Sequence, residues 1–240
     1  MQEKNIEEFW SNQKSSLHRE DNSNFYKKIA LEHFSLLKEA NATSGIVDLG
    51  CGAGELLKYL CPLVEIEVAI DNSPSMIREA KKRLCSLFTG ILIEGDFFRY
   101  LPSSSHFVWM TTAGLNQYSN ESNLKHVLNL FLSNKKSQFF FFFDCIDPVR
   151  YTLVEFISYK KIAKFKNFFG LVKFYKILRI LQLLVLNKYL TETVCLGSPT
   201  MGYAQRPSFW LKIGNKKNLD IEIISSRYYE YRYHVIIKKK

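Results

Sequence analysis

The chain lacks the cysteine and histidine patterns that build disulfide frameworks or zinc sites. Its 240 residues include five cysteines, an odd number with no close pair and no C-x-x-C motif, and the five histidines are scattered. The polar, acidic segment 1–10 lacks the features of a signal peptide. These absences predict a reducing, cytoplasmic setting and a fold held by a substantial apolar core.

The sequence also lacks an apolar run long enough to cross a membrane. In the densely apolar segment 171–190 the uncharged part, 180–186, has only seven residues, whereas a spanning helix needs about 20 apolar residues. The surrounding segment 150–190 carries nine basic residues and one acidic residue, so most of the net charge of +10 lies there. We therefore predict basic amphipathic helices in this segment instead of a transmembrane helix.

The most informative feature present is the segment 46–55, in which a short apolar strand runs into three alternating glycines. Glycine permits positive φ and lets a ligand lie directly against the backbone. The helix predicted to begin near Glu55 offers unpaired N–H groups at its start. Asp48 precedes the glycines, and a carboxylate there would repel a pyrophosphate but suits a cationic ligand with an amino-acid end.

Four further apolar segments are predicted as strands, and helices or polar loops separate them. Asp71 closes the second strand, and Ser73 and Pro74 predict the start of the next helix. This alternation predicts a doubly wound parallel sheet, whose five consecutive phenylalanines suit a strand buried on both faces. The predicted strands are 46–49, 65–70, 91–94, 107–111 and 138–143, followed by a final helix at 208–214 and an antiparallel hairpin of 221–225 with 231–238.

The segment 47–54, Val-Asp-Leu-Gly-Cys-Gly-Ala-Gly, resembles motif I of the class I S-adenosylmethionine (SAM)-dependent methyltransferases. The resemblance covers residues 25–145 and resumes at 207–240. It implies an α/β fold with a seven-stranded, mainly parallel Rossmann-like sheet, a helical insertion before the last helix, and a closing β-hairpin. It also implies SAM as the cofactor and S-adenosylhomocysteine as the product.

The same resemblance assigns cofactor-binding residues. Asp71, about twenty residues beyond the glycines, is expected to bind both ribose hydroxyls. Asp96 is expected to accept a hydrogen bond from the adenine amino group, and Phe97 to pack beside the base. The full expected set is Asp48, Gly50, Cys51, Gly52, Gly54, Asp71, Asn72, Met76, Asp96, Phe97, Thr111 and Gln117.

We predict a single methyltransferase domain over residues 1–240. Its parts are an N-terminal helical lid (1–40), the SAM-binding core (41–148), the basic amphipathic insertion (149–206), and the closing helix and hairpin (207–240). Three roles for the insertion remain open: a lid over the substrate pocket, a membrane-surface helix that makes the protein membrane-associated, and a homodimer surface.

Motifs of several other methyltransferase classes are missing. Residues 111–114 read Thr-Thr-Ala-Gly, where enzymes that methylate exocyclic base amines carry Asn/Asp-Pro-Pro-aromatic. Cys61-Pro62 reverses the Pro-Cys nucleophile of cytosine-C5 enzymes, so nucleic acid is disfavoured as a partner. Catechol-type enzymes hold magnesium with acids after strands four and five. Because only Asp144 could serve there, we expect no metal.

Methyl transfer is an in-line displacement, so the protein must position the acceptor and, for a hydroxyl, remove a proton. The acceptor pocket is expected at the carboxyl ends of the strands. The candidates there are Tyr118 and His18 at the acceptor, with Asp144 or Asp147 as base or orienting group.

The preferred reaction is O-methylation of a small molecule or glycan. The basic charge of the insertion favours an acceptor that carries an anionic group. The alternatives left open are a peripheral membrane enzyme acting on a lipid or quinone, an N-methyltransferase of a small amine, and a non-catalytic SAM-binding subunit.

Overall fold

The computed structural model describes residues 23–96, 107–151, 154, 192–196 and 202–240. Its helices are α1 (Ser23–Glu39), α2 (Leu57–Leu60), α3 (Pro74–Leu84), α4 (Gly114–Tyr118), α5 (Glu121–Ser133) and α6 (Pro207–Lys217). Its strands are β1 (Ile46–Leu49), β2 (Ile66–Asp71), β3 (Ile91–Glu94), β4 (Val108–Thr112), β5 (Phe139–Ile146), β6 (Thr193–Cys195), β7 (Tyr203–Gln205), β8 (Leu219–Ser225) and β9 (Arg232–Lys239).

Seven of these strands form one sheet in the order β3-β2-β1-β4-β5-β9-β8. Strands β1 to β5 pair in parallel, whereas β9 runs antiparallel between β5 and β8. The predicted doubly wound sheet and its closing antiparallel hairpin are therefore confirmed. Because the carboxyl ends of β1 to β5 lie at one edge, a ligand site is expected there.

The apolar core occupies both faces of the sheet, and β5 contributes to each face by strict alternation. Phe140 and Phe142 pack with Trp109 and Trp210 on the face covered by α5 and α6. The intervening phenylalanines of β5 join the other core, beneath α1, α2 and α3. Burying a phenylalanine contributes about 1.5–3 kcal/mol, so this run anchors the centre of the sheet.

The predicted start of α3 is also confirmed. Ser73 is the N-cap and its Oγ accepts a hydrogen bond from the backbone N–H of Met76 at 3.4 Å, while Pro74 occupies the first turn. The cap fixes where the chain leaves Asp71 at the end of β2, directly beside the glycine turn.

The sequence did not predict the small antiparallel ribbon formed by β6 and β7, which pairs Val194 with Ala204. Most of the predicted helical insertion, residues 155–191, lies outside the described residues. Among the residues that are described, no helix combines the length and the apolar character needed to cross a membrane.

Candidate active site

The glycine turn after β1 adopts the backbone conformations that its sequence requires. Gly50, Gly52 and Gly54 have φ of 84°, 57° and 75°. The N–H groups of Gly50 and Cys51 donate to the carbonyl of Ile70 on β2, at 2.8 and 3.0 Å. The turn is thus held against the end of the neighbouring strand.

Two of these glycines differ in what an added side chain would meet. A Cβ on Gly52 would meet no protein atom within 4 Å, whereas a Cβ on Gly54 would lie 2.9 Å from Cδ1 of Leu84. Gly54 therefore permits close packing of α3, and Gly52 faces open space at the carboxyl edge of the sheet. This open space is where a ligand can approach the backbone.

Asp71 connects the glycine turn to the start of α3. Its Oδ2 accepts from the Gly52 N–H at 2.8 Å, and its Oδ1 accepts from the Ser73 N–H at 2.9 Å. A carboxylate has about four lone-pair sites. Asp71 can therefore accept two further hydrogen bonds, which fits the two ribose hydroxyls expected from the sequence.

Asp48 on β1 is almost fully buried, and its Oδ1 has no hydrogen-bond partner. Burial, together with the nearby negative charge of Asp71, raises the pKa of Asp48 to about 8. A buried carboxyl without a cationic partner is costly when ionised. A cationic ligand group would relieve that cost, so the site fits the positively charged methionine end of SAM.

The thiol of Cys51 lies in the same acidic surroundings. Burial and the carboxylates of Asp71 and Asp48 raise the pKa of this thiol well above its ordinary value. The thiol stays protonated, so Cys51 can line the cofactor site but is not a nucleophile.

The residues expected around the adenine differ in how exposed they are. Met76 is buried and Asn72 is exposed beside it, at the start of α3, while Asp96 is half-buried after β3. Phe97 lies outside the described residues. Their contacts with the cofactor remain predictions.

The end of β4 leads into α4 through a constrained turn. Ala113 has φ of 56°, unusual for a residue with a side chain, and Oγ1 of Thr111 accepts from the Leu115 N–H at 3.1 Å. Gln117 is buried and Tyr118 half-buried on the short helix that follows. The hydroxyl of Thr111 therefore helps to shape the turn, in addition to the cofactor contact expected of it.

The β6–β7 ribbon lies directly against α4. A Cβ on Gly202, where φ is 52°, would approach the carbonyl oxygen of Gln117 to 2.0 Å and Cδ1 of Tyr118 to 3.3 Å. The adjoining residue, Tyr203, is half-buried. The ribbon therefore forms a wall beside Tyr118 at the edge of the sheet where the cofactor residues lie.

Two hydrogen-bond systems fix this wall to the core. The Tyr233 hydroxyl accepts from Nε1 of Trp210 at 3.0 Å and donates to the Gln205 carbonyl at 2.6 Å. Before β6, Glu192 accepts from Oγ of Ser208 at 2.6 Å and pairs with Lys212. The position of the ribbon therefore depends on α6 and β9.

The four predicted catalytic residues are not brought together by the described structure. Asp147 caps the helical turn at 148–151, since its Oδ1 accepts from the N–H groups of Val149 and Arg150 at 2.9 and 3.2 Å. Asp144 is buried, with Oδ2 3.7 Å from Nε2 of His33. His18 lies outside the described residues. Only Tyr118 stands at the candidate acceptor wall.

A buried polar cluster under α1 was not predicted from the sequence. Glu32 and His33 lie on the buried face of α1 and meet His234 and Arg232 of β9 around Asp144. Burial, with a contribution from His234, lowers the pKa of His33 well below its ordinary value. The signal in the sequence was the pair of polar residues inside the apolar stripe of α1, which also contains Ile29, Ala30, Leu36 and Leu37.

For Glu32, burial acts to raise the pKa, but the nearby His234 and the hydrogen bonds from Arg227 and Ser226 outweigh it and lower the pKa overall. Its Oε1 accepts from the Arg227 N–H at 2.6 Å, and its Oε2 accepts from the Ser226 hydroxyl at 3.1 Å. The carboxylate therefore connects α1 to the turn between β8 and β9.

A family model described as a methyltransferase domain matches residues 46–133. No curated protein matches the chain.

Among solved structures, a SAM-dependent methyltransferase from Leishmania major aligns over 99% of this chain and 83% of its own, with 13% identity and a TM-score of 0.63. Magnesium protoporphyrin IX methyltransferase from Synechocystis PCC 6803, with bound SAM, aligns over 100% and 98%, with 11% identity and a TM-score of 0.58. Mitomycin 7-O-methyltransferase aligns over 90% and 54%, with 14% identity and a TM-score of 0.54.

The sequence identities are too low to infer the acceptor of this protein from those of its structural neighbours. The structural similarity shows the fold alone. The matched residues 46–133 contain the glycine turn, Asp71 and α4, which are the parts of the site built above. Residues 46–133 therefore match a methyltransferase domain, within a fold shared with SAM-dependent methyltransferases, and the cofactor of this domain is S-adenosylmethionine.

Proposed function

We propose that the protein transfers the methyl group of SAM to a hydroxyl of a small molecule or glycan. The observation that carries this proposal is the position of the β6–β7 ribbon on α4. It packs against α4, the helix that follows β4, and brings Tyr118 and Tyr203 to adjoining segments. A wall beside Tyr118 suits a compact acceptor better than a duplex nucleic acid.

The cofactor half of the proposed mechanism uses residues with defined geometry. Asp71, held by two backbone N–H groups, accepts the ribose hydroxyls, and the open face of Gly52 admits the amino-acid end. Asp48, whose pKa of about 8 keeps it mostly protonated in the cofactor-free protein, would ionise when a cationic group binds beside it and would then supply the negative charge. When bound, SAM supplies an electrophilic methyl group on its sulfonium, so the protein must mainly align the acceptor and exclude water.

On the acceptor side, we assign Tyr118 to position the hydroxyl. Asp147 has its carboxylate engaged in a helical cap, and Asp144 faces the buried cluster, so both are poorly placed to act as the base. His18 remains a predicted lid residue. A small-molecule acceptor is also consistent with two structural neighbours, which are named for magnesium protoporphyrin IX and mitomycin.

The test is a methyl-transfer assay with labelled SAM and a panel of hydroxylated and amine-bearing small molecules and glycans. Mass spectrometry and NMR of the product would locate the methyl group. We expect transfer to oxygen, a drop in kcat of about 10- to 100-fold in Tyr118→Phe, and unchanged kcat in Tyr228→Phe, whose tyrosine is exposed on the β8–β9 turn. Transfer to nitrogen alone would overturn the acceptor class.

A further inference from the structure

The buried cluster beneath α1 takes no part in the cofactor site. It comprises His33 on α1, Asp144 on β5 and His234 on β9, here named the His/Asp cluster, with Glu32 beside it. One ligand atom from each of the three residues lies within 4.8 Å of the others, and the residues are 0%, 5% and 0% exposed. We infer that the His/Asp cluster binds a divalent transition-metal ion, best matched by Zn²⁺.

The first support is that possible ligand atoms on His33 and Asp144 lack hydrogen-bond partners. Nδ1 and Nε2 of His33 and Oδ1 of Asp144 are all buried and unpaired. Buried polar atoms are nearly always paired, and each unpaired one costs about 1–3 kcal/mol. Unpaired atoms from facing residues indicate a partner that contacts several of them at once.

The second support is the arrangement of His234. Its Nδ1 accepts from the Asp144 N–H, so the neutral ring carries its proton on Nε2, which lies 3.4 Å from Oε1 of Glu32 without forming a hydrogen bond. A carboxylate on the far nitrogen is the usual second contact of a metal-binding histidine. The Nδ1 lone pair is turned toward Asp144, whose N–H lies 3.2 Å away, so coordination through Nδ1 requires this N–H to turn aside.

The third support is that the backbone presents Asp144 to the cluster. Asp144 has φ of 56° and lies at a bulge, where the register of β5 with β9 shifts between Phe142 and Cys145. Bulges redirect side chains and recur beside functional sites. The ring of His33 stacks on Phe143 with centroids 3.9 Å apart, which holds the imidazole opposite the redirected carboxylate.

Charge and chemistry both fit a divalent ion. The carboxylates of Glu32 and Asp144 outnumber the single guanidinium of Arg232, which donates to the Asp144 carbonyl at 3.2 Å and lies over the Tyr229 ring. Two imidazoles and a carboxylate form a known Zn²⁺ donor set with Zn–N distances of about 2.0–2.1 Å. Inward movements of roughly half an ångström per side chain would bring the donors to that distance.

No metal was expected from the sequence, because the paired acids that hold magnesium after strands four and five of catechol-type enzymes are missing. The inferred ligands instead come from a helix, a bulge and the closing strand. Since the cluster is closed to solvent, the ion would be structural and would fasten α1 to β5 and β9.

The experiment measures the metal content of the purified full-length protein by elemental analysis, followed by chelation and titration with Zn²⁺ or Co²⁺. We expect about one ion per chain in the wild type and in the control His126→Asn, whose histidine is exposed on α5. His33→Asn, Asp144→Asn and His234→Asn should each retain less than about a tenth of that content. Bound Co²⁺ should give the strong visible bands of a four-coordinate site, with the three side chains and one enclosed water as ligands.

If the variants do not fold, anomalous scattering at the zinc edge from wild-type crystals locates the ion directly. A peak between the three side chains supports the inference. Three results would overturn it: wild-type protein that binds neither Zn²⁺ nor Co²⁺, metal content unchanged in folded variants, or a peak elsewhere. In the first case the unpaired atoms would be satisfied by water.

Discussion

At the residue scale, Gly52 and Gly54 belong to one turn, but their missing side chains matter for different reasons. A Cβ added to Gly52 would face open space, whereas a Cβ added to Gly54 would contact Leu84 and Ala80 on α3. Both have positive φ, so any side chain adds strain of about 1–2 kcal/mol. The two positions therefore differ in the atoms that an added side chain would contact, and not in the backbone strain.

We expect Gly52→Ala to fold with a stability loss of about 1–2 kcal/mol, attributable to strain alone. Its methyl group would occupy the space assigned to SAM, so SAM affinity should fall at least about tenfold, which is roughly 1.4 kcal/mol. Gly54→Ala should lose a further 1–3 kcal/mol, roughly, because the methyl group overlaps Leu84. Urea unfolding and calorimetric SAM titration distinguish the two effects. Equal SAM affinity in Gly52→Ala and wild type would contradict the assignment.

Asp48 provides a pH-dependent test at the same scale. Its pKa rises from 3.8 to about 8 on folding, so between these values the folded state holds a proton that the unfolded state has released. Its contribution to stability is full below the unfolded pKa and is lost as pH rises through the folded pKa.

In the cofactor-free protein, Asp48→Asn should therefore gain stability relative to wild type as pH rises. From about pH 5.5 to about pH 7.5 the gain should be about 2–3 kcal/mol, since each pH unit in this window contributes about 1.4 kcal/mol. Urea unfolding of both proteins at each pH measures it, and other titrating groups cancel in the difference. A pH-independent difference would show that Asp48 ionises normally in the folded state.

At the element scale, the β6–β7 ribbon is positioned by contacts far away in sequence. The Tyr233 hydroxyl bridges Nε1 of Trp210 and the carbonyl of Gln205, all within the buried interior. Burial raises the pKa of this hydroxyl well above its ordinary value, so it stays protonated and can donate. The bridge ties the acceptor wall to α6 and β9.

Tyr233→Phe should lower the free energy of unfolding by about 1–3 kcal/mol, because it leaves a buried donor and a buried acceptor unpaired. It should also weaken acceptor turnover more than SAM binding, since the bridge supports the ribbon and not the glycine turn. Tyr228→Phe, at an exposed position, is the matched control. The assignment fails if Tyr233→Phe unfolds at the same urea concentration as this control.

Elements with strong local patterns could be predicted from the sequence, and those defined by distant contacts could not. Strands β1 and β3 were placed correctly to the residue, because apolar runs and turn residues bound them. The ribbon depends on Tyr233 and Glu192, and the bulge at Asp144 depends on His234, 90 residues away. Local patterning carries no information about such contacts.

At the scale of the whole molecule, α1 lies before the matched residues 46–133 but is built into the same core. Leu36 and Leu37 pack with Phe141 and Phe143 of β5, and Glu32 reaches the β8–β9 turn. The first helix and the last two strands are therefore coupled through the centre of the sheet. Such coupling favours unfolding in one cooperative step.

SAM binding should therefore stabilise the described core as a unit. At a SAM concentration about 100 times its dissociation constant, the gain is about 2.7 kcal/mol, which corresponds to a rise in Tm of roughly 5–10 °C for a domain of this size. Fluorescence of Trp109 and Trp210, buried on one face of the sheet, should report the same shift as circular dichroism of the helices. The Tm of His126→Asn should rise with SAM as that of the wild type does. The Tm of Asp71→Ala should not rise, because this variant loses the ribose contacts and the hydrogen bond from the Gly52 N–H. Two separate transitions, only one of them sensitive to SAM, would mean that the cofactor site and the α1 core unfold independently.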